Sequence, residues 1–261
     1  MASYHDLIVL TIGRGFQVLA GFLTIKIATT LLSPSQLGSM NQMMSLAILG
    51  TSALLVPISA YIGRGCLEWR DAGVLTDHLS VYFRSVLAVA PLLGLVAWGV
   101  QSQSRLVSGV APVWVGGLVT LYTIGYSLHT MGTSGLNLIG HRSLYVFFGN
   151  IAVWGGLALA LFCSQTTMTP EAWLLGIFSG FLLSSLSYAF LVRYGRQETA
   201  VHSGEGHGLL AFDRWAVLMF VWPQAVVFAL WWIQSQGGFK FQVQRVNDGA
   251  VARRLPVAWQ S

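Results

Sequence analysis

The chain has 261 residues, of which 54% are hydrophobic and only 9% are charged, and its mean hydropathy is +0.65. A soluble domain of ordinary composition carries roughly 25% charged residues, so the composition excludes that class and favours an integral membrane protein. The net charge of +5 is spread thinly between apolar stretches, which argues against nucleic acid as a partner and fits contact with membrane lipids.

The first apolar stretch, residues 7–32, contains only two charged residues, Arg14 and Lys26. Its 26 residues exceed the ~20 that a helix needs to cross a bilayer, and they are apolar on every side of a helix. Arg14 lies ~10 Å along this helix, where an unpartnered guanidinium costs at least ~2.5 kcal/mol. The stretch therefore predicts a membrane span in which Arg14 faces a wet cavity or a partner.

Further apolar stretches follow at intervals, separated by short polar turns or charged linkers. They predict an all-α integral membrane protein of about seven transmembrane helices. We divide it into an N-terminal six-helix lobe (1–208), a seventh helix that starts a second lobe (209–236) and a basic polar tail (237–261). The seven predicted spans are residues 7–32, 40–62, 79–100, 111–133, 144–163, 172–192 and 215–233.

The tail does not fit this pattern. Seven spans place its basic residues on the outer side, and the segment has neither the length nor the apolarity of an eighth span. Two interpretations stay open: a disordered tail, or a chain that ends prematurely after an altered reading frame. The second, which we favour, would make the protein a truncated or inactive copy.

Basic residues in the loops predict the orientation. With the N-terminus in the cytoplasm, the opposite loops hold Arg105 alone, as the positive-inside rule requires. The segment before the first span lacks the basic start of a cleavable signal peptide. The cytoplasmic loops then hold Arg64, Arg70, Arg142, Arg193, Arg196 and Arg214.

Three pieces of the first 75 residues carry a resemblance to a known family. They are the Arg14–Gly15 pair, the turn LLSPSQLGS that ends at Ser39, and YIGRGCLEWRDAG at 61–73. Together they resemble the bacterial polysaccharide flippases, lipid-linked oligosaccharide exporters of the multidrug/oligosaccharidyl-lipid/polysaccharide exporter superfamily. Weaker similarity extends through 136–142 and 222–242.

The resemblance implies two six-helix lobes around a partly cationic cavity in the bacterial inner membrane. It implies a polyprenyl-diphosphate-linked oligosaccharide as substrate, moved by alternating access during exopolysaccharide or lipopolysaccharide biosynthesis, with no enzyme activity and no cofactor. This chain supplies one lobe and one further helix. We therefore expect that it does not transport by itself and needs a second chain that completes the transporter.

Arg14 is the first candidate for substrate binding, and its alternative role is pairing with a neighbouring helix. Lys26 is the second. It lies ~120° around the same helix from Arg14 and near the outer end, where its side chain can instead extend to the interface.

His129 and Tyr126 form a polar strip with Tyr122 on the fourth span. They could bind a sugar or relay a proton, and the structural alternative is a hydrogen bond from His129 to a neighbouring helix.

Arg64, Trp69 and Arg84 are candidates for a cytoplasmic gate or interface. For Trp69 and Arg84 the alternative is anchoring at the lipid headgroups. For Arg64 the alternative is a role in fixing the fold.

The predicted spans contain no Asp or Glu. This absence counts against a cation-coupled small-molecule exporter of the same superfamily, which needs an intramembrane carboxylate, and it suits an anionic substrate. A membrane-embedded transferase is a further alternative, but no catalytic or metal-binding motif is present in the sequence.

Overall fold

The computed structural model describes residues 4–107, 109–165 and 168–199, and every regular element in these ranges is a helix. The seventh predicted span, the linker before it and the basic tail lie outside the described residues. The elements are α1 (Tyr4–Leu31), α2 (Pro34–Asp71), α3 (Leu75–Ser104), α4 (Pro112–Leu138), α5 (Arg142–Asn150), a π-helical segment (Ile151–Gly155), α6 (Gly156–Ser164), α7 (Pro170–Ser184) and α8 (Leu186–Thr199).

Five helical runs are long and apolar enough to cross a membrane. Each has at least 18 residues with a mean hydropathy of 1.2 or more. This confirms the all-helical class and shows that the first three, the fifth and the sixth predicted spans are helices of sufficient length and apolarity to cross a membrane. The runs are Leu10–Leu31, Pro34–Asp71, Leu75–Ser104, Arg142–Ser164 and Pro170–Arg193.

The helix α4 differs from these runs because it occupies the middle of the bundle. It contacts α2, α3, α5, α7 and α8, and 14 of its 27 residues are buried. It carries no charged residue but several polar ones, including tyrosines, threonines and a histidine, and it is not among the five runs. Its length of ~40 Å nevertheless suffices to cross the hydrocarbon core.

Interhelical hydrogen bonds hold α4 to its neighbours. The Tyr82 hydroxyl of α3 donates to the Ser127 carbonyl at 3.1 Å, and Thr51 of α2 lies 3.2 Å from the hydroxyl of Thr123. Tyr188 of α8 in turn donates to the Leu79 carbonyl of α3. Such bonds satisfy polar groups that would otherwise be costly in an apolar medium.

Glycines let α6 and α7 pack at backbone contact. A β-carbon at Gly176 of α7 would lie 2.1 Å from the Ala160 nitrogen of α6, and one at Gly180 would lie 2.4 Å from the Gly156 Cα. The close approach of these two helices therefore depends on the absence of side chains at positions 176 and 180.

Two helix boundaries differ from the sequence prediction. All but the first residue of the predicted turn Ser33–Ser39 already belong to α2. Ser33 caps this helix and exchanges hydrogen bonds with Gln36 in a capping box. The charged linker 63–78 is also mostly helical, since α2 continues to Asp71 and α3 begins at Leu75.

The helix α1 lies at the periphery of the bundle. Only 11% of its apolar window is buried, and it packs mainly along α5 and the π-helical segment. Most of α1, including the position of Arg14, therefore faces outward from the described helices.

Candidate functional site

Arg14 projects from an exposed face of α1 while its neighbour Gly13 is buried against α5. Large apolar side chains are exposed around this part of α1, among them Ile12, Phe16 and Val18. A permanent cation thus stands on an apolar outer surface of the described bundle, about one-third of the way along a membrane-spanning helix.

Two side chains hold the Arg14 guanidinium. Its Nη1 donates to Oε1 of Gln17, one turn later on α1, at 3.1 Å. Its Cζ lies 5.0 Å from the centroid of the Tyr145 ring on α5, within the range of a cation–π contact. We call Arg14, Gln17 and Tyr145 the Arg14 cluster.

The close packing of α1 on α5 brings this cluster together. A β-carbon at Gly13 would lie 2.1 Å from Cγ1 of Val146, so only glycine allows α1 to approach α5 at this level. One turn along α5, a β-carbon at Gly149 would lie 2.2 Å from Nε2 of Gln17. Asn150 adds a long 3.5 Å contact to the Gly13 carbonyl, although its 2.9 Å bond to Val146 lies within its own helix.

Lys26 is separate from the Arg14 cluster. It is exposed on α1, ~18 Å further along the helix axis, and its carbonyl accepts hydrogen bonds from Thr29 and Thr30. The described structure brings no other predicted site residue near it.

His129 and Tyr126 are held inside the bundle against α7. The Nδ1 atom of His129 lies 2.7 Å from Oγ of Ser184, and the Ser184 hydroxyl donates to the Phe148 carbonyl of α5 at 2.6 Å. Because a hydroxyl has a single proton, Nδ1 of His129 must be the donor to Ser184, which fixes the tautomer. The hydrogen bond to a neighbouring helix, named as the structural alternative for His129, is therefore present.

An aromatic cluster surrounds the same strip. The rings of Tyr122 and Tyr126 stack at 5.0 Å, and Phe181 of α7 packs on Tyr126 at 5.4 Å and on His129 at 5.5 Å. The three side chains lie along one face of α4, as the spacing predicts, and in the described helices their rings contact α7.

The three predicted gate residues lie on α2 and α3, whereas Arg14 lies on α1. Trp69, near the end of α2, stacks on His78 at 3.7 Å and contacts the Tyr61 ring at 5.6 Å. Arg64 and Arg84 are exposed, on α2 and α3 respectively.

The Arg14 cluster differs from the end of α2 in the charged groups that surround its arginine. A salt bridge joins Arg70 and Asp71 at 3.0 Å, at the end of α2. Among the described residues no carboxylate forms a salt bridge with Arg14, and no group of three His, Cys, Asp or Glu side chains could hold a metal ion.

Sequence reasoning missed Gln17, Tyr145 and Ser184. The contact of Gln17 with Arg14 could have been predicted from the spacing, since a residue three positions after Arg14 shares its helix face. The sequence contains no such indication for Tyr145 and Ser184, because their contacts join segments far apart in the chain.

No protein-family model, curated protein or solved structure matches this chain.

Proposed function

We propose that this protein translocates a polyprenyl-diphosphate-linked oligosaccharide from the cytoplasmic to the outer leaflet of a bacterial inner membrane, for surface polysaccharide assembly. The observation that carries the proposal is an exposed guanidinium within an apolar helix that has no carboxylate partner among the described residues. Such a cation is costly in lipid, and it is retained at low cost where it meets water and an anion.

A phosphate-bearing substrate fits the chemistry of this surface. Guanidinium groups bind phosphate oxygens through paired N–H donors, and the diphosphate of a carrier lipid offers several such oxygens. The apolar surface of α1, with Val18 exposed one turn after Arg14 on nearly the same face, suits a substrate whose polyprenyl tail stays in the bilayer.

The mechanism we propose is alternating access. The described helices form one packed body in which α1 leaves most of its surface uncovered. A second six-helix lobe would cover that surface and enclose Arg14 in a cavity that opens to each side in turn. We propose a cytoplasmic N-terminus, which the distribution of arginines supports.

The second candidate is a cation-coupled small-molecule exporter of the same superfamily, supported by the same resemblance of the first 75 residues. The sequence weakens it, since none of the predicted spans contains Asp or Glu. An exporter of that class needs such a carboxylate to bind and release its coupling ion.

Reconstituted vesicles separate the two candidates. The assay follows outer-leaflet appearance of a fluorescent polyprenyl-diphosphate oligosaccharide, with the wild type, Arg14→Ala and the exposed-arginine control Arg105→Ala. We expect Arg14→Ala to slow translocation at least tenfold and Arg105→Ala to have little effect. Equal rates for wild type and Arg14→Ala would remove Arg14 from the proposal, and drug efflux driven by an ion gradient would favour the exporter.

A further inference from the structure

We infer that Gln17 and Tyr145 are positioning residues that hold the Arg14 guanidinium as an oriented binding site for a phosphate ester. The inference rests on the proposed function and deepens it, because it names the chemical class that the site takes, the diphosphate of a carrier lipid. Neither residue needs to touch the substrate.

The first step of the argument concerns the orientation of the guanidinium. This group is planar and carries five N–H donors in a rigid arrangement. The Tyr145 ring lies on the Arg14 guanidinium at 5.0 Å, and Gln17 accepts one N–H at 3.1 Å. These two contacts fix the plane of the group and leave its other donors free to bind oxygens of a phosphate in pairs.

The second step concerns charge. A carboxylate partner would orient Arg14 equally well, but it would also neutralise the cation and compete with a phosphate. The cluster instead uses a neutral amide and a neutral ring. Arg14 is therefore held in place at full charge, which a site for an anion requires.

The third step concerns why Gln17 takes this position. Its Nε2 packs over Gly149, where a β-carbon would come within 2.2 Å. The absence of a side chain at position 149 thus provides the space for the Gln17 amide. A methyl group at that position displaces the amide from Arg14 without altering either member of the pair, since the amide is the far end of a flexible side chain.

The experiment measures binding of a fluorescent polyprenyl-diphosphate oligosaccharide to the full chain in lipid nanodiscs. The test variants are Gly149→Ala, Gln17→Glu and Tyr145→Leu. We expect each to raise the Kd about tenfold, with Gln17→Glu the most severe because it places a carboxylate beside the cation. Thermal stability of every variant is measured in parallel.

Two variants serve as matched controls. Tyr145→Phe keeps the ring face and should bind like the wild type. Gly15→Ala adds a methyl group beside Arg14, where nothing lies within 4 Å, and should also bind normally. If Tyr145→Phe binds as weakly as Tyr145→Leu, or if Gln17→Glu binds like the wild type, the positioning roles are wrong.

Competitors identify the source of the phosphate. Unlabelled polyprenyl diphosphate should displace the probe, whereas phosphatidylglycerol should not. Equal displacement by phosphatidylglycerol would assign the site to bulk lipid headgroups, and displacement by inorganic diphosphate alone would assign it to a soluble anion. Either result overturns the assignment to a carrier lipid.

The variants distinguish a failure of the proposed function from a failure of the positioning inference. If Arg14→Ala binds the probe like the wild type, the proposed function fails. If Arg14→Ala loses binding while Gly149→Ala, Gln17→Glu and Tyr145→Leu retain it, the proposed function stands and the positioning inference fails.

Discussion

The side-chain amide of Gln101 forms a closed pair of hydrogen bonds with the backbone of Val107. Its Nε2 donates to the Val107 carbonyl at 2.7 Å, and its Oε1 accepts from the Val107 amide at 2.9 Å. The same Nε2 also donates to the Val110 carbonyl at 3.0 Å. A single buried side chain at the end of α3 thus satisfies three backbone groups in the connection to α4.

We predict that Gln101→Leu destabilises the protein by about 2–4 kcal/mol, because it leaves these buried backbone groups unpaired. Denaturant titration in detergent micelles measures the loss. Gln103→Leu is the matched control, since Gln103 is exposed on the same turn of α3. Similar effects of the two substitutions would contradict the assigned role of Gln101.

We predict that Gly176→Ala forces α6 and α7 apart. The added methyl group meets backbone atoms of Ala160 at 2.1 and 2.2 Å, which cannot move out of the way as a side chain could. We expect a loss of about 1–3 kcal/mol in the free energy of unfolding. Gly117→Ala, where nothing lies within 4 Å, should be neutral or stabilising, and a wild-type stability for Gly176→Ala would contradict the packing.

We predict that Ser184→Ala destabilises the contact of α7 with α4 and α5. Removal of this hydroxyl leaves Nδ1 of His129 without its partner and takes one hydrogen bond from the Phe148 carbonyl. The expected loss is about 1–3 kcal/mol. Ser185→Ala is the control, because the Ser185 hydroxyl is exposed and bonds only within its own turn, so a loss as large there would argue against the network.

The stacked pair Trp69 and His78 lies between the predicted spans 40–62 and 79–100, and its pH dependence can be predicted. Burial lowers the pKa of His78 from its ordinary value of 6.5, and the Asp77 carboxylate raises it by a smaller amount. Folding thus favours the neutral form of the His78 ring. This preference stabilises the protein above pH 6.5, and the stabilisation is lost as the pH falls through the lowered pKa of His78 in the folded state.

Tryptophan fluorescence measures this titration, because a protonated histidine quenches a stacked indole. The difference between wild type and Trp69→Phe should show a transition with its midpoint below pH 6.5, and His78→Gln should abolish it. A midpoint at or above pH 6.5 would contradict the predicted direction.

The helical class could be predicted from the sequence because membrane insertion imposes long uncharged stretches. The breaks inside those stretches could not. The fifth span contains a π-helical segment at Ile151–Gly155, and the sixth divides at Ser185 into α7 and α8. Both breaks lie within continuous apolar sequence, where hydropathy does not distinguish one helical hydrogen-bonding pattern from another.

The candidate site was predictable only in part for a related reason. Arg14 stands out in the sequence because a charge within an apolar span is rare. Its contact with Tyr145 depends on how α1 packs along α5, and this packing follows from the fit of Gly13 to Val146. The strip on α4 was visible from its spacing, whereas its contacts with Ser184 and Phe181 required the tertiary structure.

Accessibility of position 14 to water in a membrane tests the account most directly. Arg14→Cys and Phe16→Cys, each made after replacing Cys66 and Cys163, are treated in vesicles with a charged, membrane-impermeant thiol reagent. The two positions lie at nearly the same depth but ~200° apart around α1. We predict that Arg14→Cys is labelled and Phe16→Cys is not; protection of both cysteines would place position 14 in a dry environment and contradict the proposed substrate site.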